Sequence, residues 1–217
     1  WSKPYVETVF AQGILNGYPD KTFRPTRSVT RAEAMVIIDQ AVRNTGTIAV
    51  YGQAGTYGPE SGSKTIDGNV VISNAGITLQ NTIINGNLLL AVGIGEGDVK
   101  LKNVSVKENT IIKGGGPNSI TVEDSSLPHL TINKEGVRIV ATGNTSVQLI
   151  QLASGATLVE IETTGSGFET IKITQEIPPG ATLRLEGDFS TLTMQANISL
   201  ELHGTIDELN ISQDVDN

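Results

Sequence analysis

Ile77-Thr-Leu79 is the first of seven short apolar alternations that return along the chain as far as residue 211. The other six are Val99-Lys-Leu101, Ile120-Thr-Val122, Val137-Arg-Ile139, Val159-Glu-Ile161, Leu183-Arg-Leu185 and Leu200-Glu-Leu202. From Leu79 to Leu202 the steps are 22, 21, 17, 22, 24 and 17 residues, or about 20 per repeat. A fixed period of this length is typical of a repeat architecture, in which each unit buries its apolar face by stacking on its neighbours.

Most alternations are followed, after a few turn residues, by a second apolar segment such as Leu130-Thr-Ile132 or Ile171-Lys-Ile173. Short β-branched strands at this period predict a mainly β fold, a parallel, right-handed β-helix over residues 66–217. The alternatives are an antiparallel sandwich, which would show hairpin dipeptides every 8–12 residues, and a leucine-rich horseshoe. Within 66–217, Asn-Gly occurs once, at Asn85-Gly86.

Asparagines are dense in the first half of this segment. Stacked turns let their amides form ladders, and Asn tolerates left-handed φ. We therefore predict structural turns rather than a ligand site for the following residues: Asn69, Asn74, Asn81, Asn85, Asn87, Asn103, Asn109, Asn118, Asn133 and Asn144.

Composition narrows the class of protein. The chain has 217 residues, 24 glycines and no cysteine, so neither a disulfide framework nor a thiolate metal site is available. Its longest apolar run, residues 88–92, is far too short to span a bilayer. The sequence begins Trp1-Ser-Lys-Pro4 rather than with Met, and we expect it to be a piece of a longer, processed, extracellular protein.

The net charge of −8 is unevenly spread. Residues 1–46 hold six Lys/Arg against four Asp/Glu, whereas residues 47–217 hold nine against nineteen. The acidic body argues against nucleic acid as a partner. The basic front piece can face an anionic polymer, although charge alone is equally consistent with a solvated surface.

The front piece, residues 1–46, has the pattern of helix–loop–helix. Apolar residues at helical spacing predict a helix over 3–12, and residues 13–25 are rich in turn formers. Thr30-Arg-Ala-Glu33 is a capping box that starts a second helix, in which the Thr hydroxyl and the Glu side chain satisfy each other's backbone N–H groups. Its apolar face would be Ala34, Ile37, Ile38 and Ala41.

The motif Gly13-Ile-Leu-Asn-Gly-Tyr-Pro-Asp-Lys-Thr-Phe-Arg-Pro25, followed by Val29-Thr-Arg-Ala-Glu33, resembles the S-layer homology (SLH) domain family. Lys21 replaces the family's usual Gly. The resemblance implies attachment to secondary polysaccharides of Gram-positive-type cell walls, with Arg31 contacting the sugar. It implies supporting roles for Thr30, Gly17 and Tyr18, and Trp1 is a candidate stacking aromatic. A guanidinium fork suits the carboxylates of acidic wall glycans.

Residues 47–65 are rich in Gly and Ser and are expected to be a junction into the β-helix. This organisation resembles the amino-terminal part of surface-attached glycanases, in which a family 54 carbohydrate-binding module follows SLH repeats. The resemblance implies a non-catalytic module that binds insoluble polysaccharide of the chitin, xylan or β-glucan type beside a glycoside hydrolase. Aromatic residues are scarce after Tyr57, so such a binding face would be polar, at residues that the sequence does not identify.

Paired acids are also consistent with an enzyme, a polysaccharide lyase or hydrolase of β-helix type. A third interpretation is a rigid adhesin or spacer. Alternation predicts that Glu160 and Glu162 point outward as a solvated face, and His129 and His203 are isolated. No cofactor is required by the pattern. Calcium held by outward acids on adjacent rungs is the metal site that we consider as an alternative. The candidate acids are Glu123-Asp124, Glu160/Glu162, Glu186/Asp188 and Asp207-Glu208.

The family 54 resemblance also implies self-cleavage after an Asn, which directs attention to Asn217. An Asn amide nitrogen can attack its own carbonyl, or a following hydroxyl can attack it in an N→O acyl shift. Asp214 and Asp216 are candidate assisting acids. The hypothesis predicts that a downstream fragment of the same polypeptide stays associated with the last rung, and a plain boundary or disordered tail is the alternative.

Overall fold

The computed structural model describes residue 22 and residues 26–44, 47–117 and 120–212. The chain divides into two compact units, residues 1–48 and 49–217. The described part of the first unit contains helix α1, Arg31–Asn44. In the described part of the chain, the strands are β1 Thr47–Tyr51, β2 Gly55–Tyr57, β3 Lys64–Ile66, β4 Gly68–Ile72, β5 Ile77–Ile84, β6 Leu88–Leu90, β7 Val99–Val106, β8 Asn109–Ile112, β9 Ile120–Glu123, β10 Ser126–Ile132, β11 Val137–Gly143, β12 Ser146–Leu152, β13 Ala156–Thr163, β14 Gly167–Ile173, β15 Thr182–Met194 and β16 Ser199–Ile211. A short 3₁₀ turn, Val92–Ile94, follows β6.

The strands form a parallel β-solenoid of about eight turns, which confirms the predicted fold class. Its first face runs β2–β5–β7–β9–β11–β13–β15, and its third face runs β1–β4–β6–β8–β10–β12–β14–β15, with β16 stacked on β15. A short second face connects them. It contains β3, the ends of β5 and β7, and the first residues of β10, β12 and β14. The predicted right-handed sense stays a prediction.

The core consists of columns of aliphatic side chains, one from each turn. Register places one such column on the third face, and its members are all 9% exposed or less: Ile72, Leu90, Ile112, Ile132, Leu152, Ile173 and Met194. Successive members are 18 to 22 residues apart, close to the predicted period. Burying one such side chain contributes ~1.5–3 kcal/mol, so the stacked columns are the main source of stability.

The predicted alternation Val159-Glu-Ile161 is wrong by one position. Leu158 and Val159 are 0% and 3% exposed, whereas Ile161 is 46% exposed. The inward position is Leu158, which stacks between Ile139 and Leu185. The pattern breaks because β13 turns its corner here, at Glu162 in left-handed backbone (φ 49°), and the β11–β13 register shifts by one residue.

The predicted junction, residues 47–65, contains the first turn of the coil. Gly55–Tyr57 pairs with Ile77–Leu79, and β3 pairs with the end of β5. The tilted rings of Tyr51 and Tyr57, 4.4 Å apart, pack against the solenoid core in place of aliphatic residues. This glycine-rich segment is therefore a structured rung of the solenoid. Its strands are only three to five residues long, too short to show a clear alternation in the sequence.

Asparagine ladders form at two corners, as predicted. At one corner Asn81 and Asn103 adopt left-handed φ of 47° and 51°, and Asn103 Nδ2 donates to Asn81 Oδ1 at 2.7 Å. At the other corner Asn87 N and Asn109 N donate to the Oδ1 atoms of Asn69 and Asn87, at 2.8 and 3.1 Å. In each of these contacts an asparagine side chain thus accepts a hydrogen bond from the asparagine one turn further along the coil, so these residues are structural.

Candidate functional site

The start of α1 is the capping box that the sequence predicts. Glu33 N donates to Thr30 Oγ1 at 3.2 Å, and Thr30 N donates to Glu33 Oε2 at 2.8 Å. The Thr30 hydroxyl also donates to Glu33 Oε2, at 2.8 Å. Hydrogen bonds from the Thr30 backbone and side chain lower the pKa of Glu33, with a smaller contribution from the charge of Arg27, 3.7 Å from Glu33 Oε1. The first turn is therefore held by its own side chains.

Arg31 is the first residue of α1, and its side chain is exposed. The Arg31 side chain makes no hydrogen bond or ion pair with any other residue in the described ranges, so its guanidinium is available to an external anion. Thr30, by contrast, has its hydroxyl engaged within the capping box. The other residues predicted for this site, Trp1, Gly17 and Tyr18, lie outside the described residues.

One predicted acidic position, Glu123, is neutralised across turns of the solenoid. Lys100 Nζ lies 2.5 Å from Glu123 Oε2, and Lys102 Nζ lies 2.9 Å from Glu123 Oε1. The hydrogen bonds from Lys100 and Lys102 lower the pKa of Glu123, and the bond with Glu123 raises the pKa of Lys102. A raised pKa is the opposite of what a lysine general base needs, so this geometry supports a clamp between adjacent rungs.

Glu160 is half-buried rather than solvated. Its Oε1 accepts a hydrogen bond from Phe168 N at 2.6 Å, and its side chain covers Gly167 and Gly187, where an added Cβ would lie 2.2 Å from Oε1 and 2.8 Å from the Glu160 Cβ. Burial raises the pKa of Glu160, against the effect of the Phe168 hydrogen bond, and the charge of Asp188 raises it further. The structure thus brings Glu160 near Asp188, one turn away, a pairing that sequence spacing did not indicate.

The remaining predicted acids are separately placed. Glu186 pairs with Arg184 at 2.6 Å, and Glu208 accepts from Asn210 at 3.0 Å. Among the described residues, no group of three or more acids or histidines is arranged to hold a metal ion, so the predicted stacked calcium ligands are not brought together there. His129 and His203 are both exposed.

A polar recess on the third face is the feature that sequence analysis missed. It is lined by three glutamines, a threonine and a glutamate: Gln151, Thr174, Gln175, Glu176 and Gln195. Thr174 Oγ1 is fixed by donating to Leu152 O at 3.1 Å. Within the described ranges the three glutamine amides make no side-chain hydrogen bond to protein. Their N–H donors and C=O acceptors are therefore available to a ligand in the recess. The loop between β14 and β15, which lengthens one turn, forms one wall.

The three residues of the predicted self-cleavage site, Asn217 and the assisting acids Asp214 and Asp216, lie outside the described residues.

No helix among the described residues is long and apolar enough to cross a membrane.

Residues 1–35 match the family model of the S-layer homology domain, which covers Thr30 and Arg31. A cellulosome-anchoring protein of Acetivibrio thermocellus is 45% identical over 42 residues, 19% of this chain and 9% of that protein. The outer membrane protein SlpA of Deinococcus radiodurans is 45% identical over 38 residues, 18% of this chain and 3% of that protein. The chain therefore spans a small fraction of these relatives, and no solved structure matches it.

Proposed function

We propose that this chain is a non-catalytic module of a cell-surface protein, attached to cell-wall polysaccharide through its N-terminal SLH segment. The observation that carries the proposal is the SLH match over residues 1–35 together with an exposed, unengaged Arg31 at a capped helix start. The capping box restricts the first turn, and the N-terminus of a helix favours an anion. Arg31 is then the group that pairs with a carboxylate on the wall glycan.

Binding to purified cell wall tests this attachment. We expect Arg31→Ala to weaken cosedimentation with wall polysaccharide about tenfold or more, since a bidentate charged pair contributes ~1.5–3 kcal/mol. Arg31→Lys should recover part of the loss, because the charge remains but the fork is gone. Arg43→Ala removes the same charge near the other end of α1 and is the matched control. Equal binding by Arg31→Ala and the unmodified chain would contradict the assignment.

We also propose that the solenoid binds insoluble polysaccharide at the glutamine-lined recess. Sugar hydroxyls are both donors and acceptors, as are side-chain amides, so unengaged glutamines suit a glycan edge where aromatic platforms are scarce. The exposed faces of the coil around the recess are polar, with Lys172 and Thr193 in register beside Gln151. Cleavage of the glycan, and self-cleavage after Asn217, remain separate hypotheses.

Pull-down with insoluble chitin, xylan and β-glucan tests the recess. Arg31→Ala is used as the background, so that wall attachment does not contribute. In that background Gln151→Ala combined with Gln195→Ala should reduce retention on the preferred glycan several-fold, because each lost hydrogen bond costs ~0.5–1.5 kcal/mol. Gln148→Ala, exposed on the same strand but outside the recess, should retain binding. Retention on none of the three glycans would favour the spacer reading.

A further inference from the structure

β16 is the outermost strand of the described solenoid, and its inward positions are uncovered. Leu202, Leu209 and Ile211 are 41%, 49% and 42% exposed. The β15 residues on which they stack are 9% exposed or less: Leu185, Leu192 and Met194. The core columns therefore continue into β16 and meet no neighbour on its far side within the described residues, which leaves an apolar end surface beside a free strand edge.

The backbone groups on that edge follow from the register. Ser199 N donates to Ala181 O and Ser212 N donates to Met194 O, each at 3.0 Å. Since successive residues of a strand point their N–H and C=O groups to opposite sides, Leu200 and Leu202 turn these groups away from β15. Counting back from Ser212 gives the same result for two residues on the third face, Leu209 and Ile211.

We propose that this edge pairs with the same edge of a second copy of the chain, antiparallel, about a two-fold axis passing between Thr205 and Ile206. Leu200 then lies opposite Ile211 of the second copy, and Leu202 lies opposite its Leu209. All four residues turn their backbone N–H and C=O groups away from β15, so each facing pair can exchange two hydrogen bonds, as closely bonded antiparallel pairs do. Their apolar side chains meet on the inner side of the sheet.

The side chains on the outer surface agree with this register. His203 lies opposite Glu208 of the second copy, and Glu201 lies opposite its Asn210, so no like charges face each other. A shift of two residues in one direction would place Glu201 against Glu208, which is unfavourable for directly opposed carboxylates. The proposed register avoids this contact between carboxylates, in agreement with the backbone groups and the apolar side chains.

The path of β16 around the coil makes the two-fold arrangement geometrically consistent. Residues 199–203 lie on the first face and residues 208–211 on the third, with the second face between them. An axis through the middle of the second face exchanges the first and third faces, so the two coils remain aligned end to end. A C2 contact of this kind uses one self-complementary surface and closes on itself.

Sedimentation velocity over a range of protein concentrations tests the contact. The unmodified chain should pass from the mass of one chain to that of two as concentration rises. Leu202→Lys and Leu209→Lys should each stay monomeric, while Ile161→Lys, which changes a side chain of similar exposure elsewhere on the coil, should still dimerise. Circular dichroism checks that each variant keeps its strand content. A monomer at every concentration, or dimers unaffected by both β16 variants, would overturn the proposal.

Cysteine pairing tests the register, because the chain has no cysteine of its own. Glu201 and Asn210 of the second copy would form a non-hydrogen-bonded pair, with Cα atoms ~4.5 Å apart and within disulfide range. Oxidising a mixture of the Glu201→Cys and Asn210→Cys proteins should give a covalent dimer, whereas each protein alone should not. Dimers in the separate samples, or none in the mixture, would rule out this antiparallel pairing.

A charge exchange gives an independent readout. His203→Glu places a carboxylate opposite Glu208 and should weaken dimerisation, and adding Glu208→Lys to the same chain should restore it. A solenoid extended by a strand of a different polypeptide, running parallel to β16, would show no such restoration, so failure of rescue counts against the second copy as the occupant.

Discussion

Thr110 is a polar residue placed within an aliphatic column. It stacks between Leu88 and Leu130, and its hydroxyl is the one buried side-chain polar atom that lacks a hydrogen-bond partner among the described residues. We predict that Thr110→Val stabilises the solenoid by ~1–2 kcal/mol, because an unsatisfied buried hydroxyl carries a desolvation cost of that size. Urea unfolding followed by circular dichroism measures the change.

The matched control is Thr82→Val. Thr82 is equally buried, but its hydroxyl donates to Gln80 O at 2.7 Å. Removing that bond should destabilise the chain by ~1 kcal/mol. If both substitutions lowered stability by similar amounts, the Thr110 hydroxyl would have a partner that compensates for its burial.

Glu160 gives the stability a pH dependence with a definite sign. Because burial, and then the charge of Asp188, raise its folded-state pKa above the usual 4.5, the folded chain binds more protons than the unfolded chain just above pH 4.5. Stability should therefore decrease as pH rises through this window. Glu33 and Glu123, whose pKa values are lowered, act in the opposite direction below pH 4.5, where stability is lost as pH falls.

Glu160→Gln isolates this contribution. The amide oxygen can still accept the Phe168 hydrogen bond, but it carries no charge to desolvate or to repel Asp188. We predict that the variant has a higher Tm than the unmodified chain at pH 7 and that the difference shrinks toward pH 4. Thermal melts at both pH values measure it, and a difference independent of pH would show that Glu160 does not titrate in this range.

At the scale of elements, corners decide how the short strands connect. Asn103 occupies left-handed backbone and donates to Asn81, so it has both a conformational and a hydrogen-bonding role. We predict that Asn103→Ala costs ~2 kcal/mol and Asn103→Gly ~1 kcal/mol, since Gly adopts positive φ without the Cβ penalty but still loses the ladder bond. Chemical unfolding of both variants checks this order. Equal losses would mean that the ladder bond alone matters.

The fold class follows from the sequence because inward positions recur at nearly constant spacing, as in the column from Ile72 to Met194. The predictions of inward positions are wrong where the spacing between successive turns changes, because a corner or a longer loop causes the change and the local pattern does not show it. Ile161 fits the alternation but lies at an exposed position immediately before the β13 corner residue, Glu162. The extra residues between β14 and β15 move Leu185 to 27 residues after Leu158. The first rung, residues 47–66, was predicted to be a junction for two reasons. Its strands are only three to five residues long, and tyrosines replace aliphatic residues in its core.

The candidate sites also differ in whether their contacts are local in sequence or join turns of the coil that are distant in sequence. The capping box was predicted correctly because its atoms lie within one helical turn, where residue spacing determines contact. Arg31, by contrast, was proposed from the resemblance to the SLH family, and its role stays a prediction. The Glu160–Asp188 proximity and the glutamine recess depend on which turns of the coil stack, over separations of 28 and 44 residues. Such juxtapositions require the register of the whole solenoid, and no local pattern supplies it.

At the scale of the whole molecule, stability should vary along the coil, because each turn is stabilised mainly by the turns on either side. Strand β12 pairs on both of its edges, with β10 and with β14, whereas β16 pairs with β15 alone among the described strands. We predict that amides of β12 exchange with deuterium at least ~100-fold more slowly than amides of β16, because a strand that pairs on one edge only opens more readily than one that pairs on both.

Within β16 the pattern should alternate, and the alternation links local stability to assembly. In dilute protein, the amides of Glu201 and His203, which point toward β15, should exchange more slowly than those of Leu200 and Leu202, which point to the free edge. As concentration rises, pairing with a second copy should slow exchange at Leu200 and Leu202 and leave β12 unchanged. Hydrogen exchange resolved by NMR at two concentrations measures both effects. Uniform protection along the coil would show instead that it opens as a single cooperative unit, in which the last rung is as stable as the middle ones.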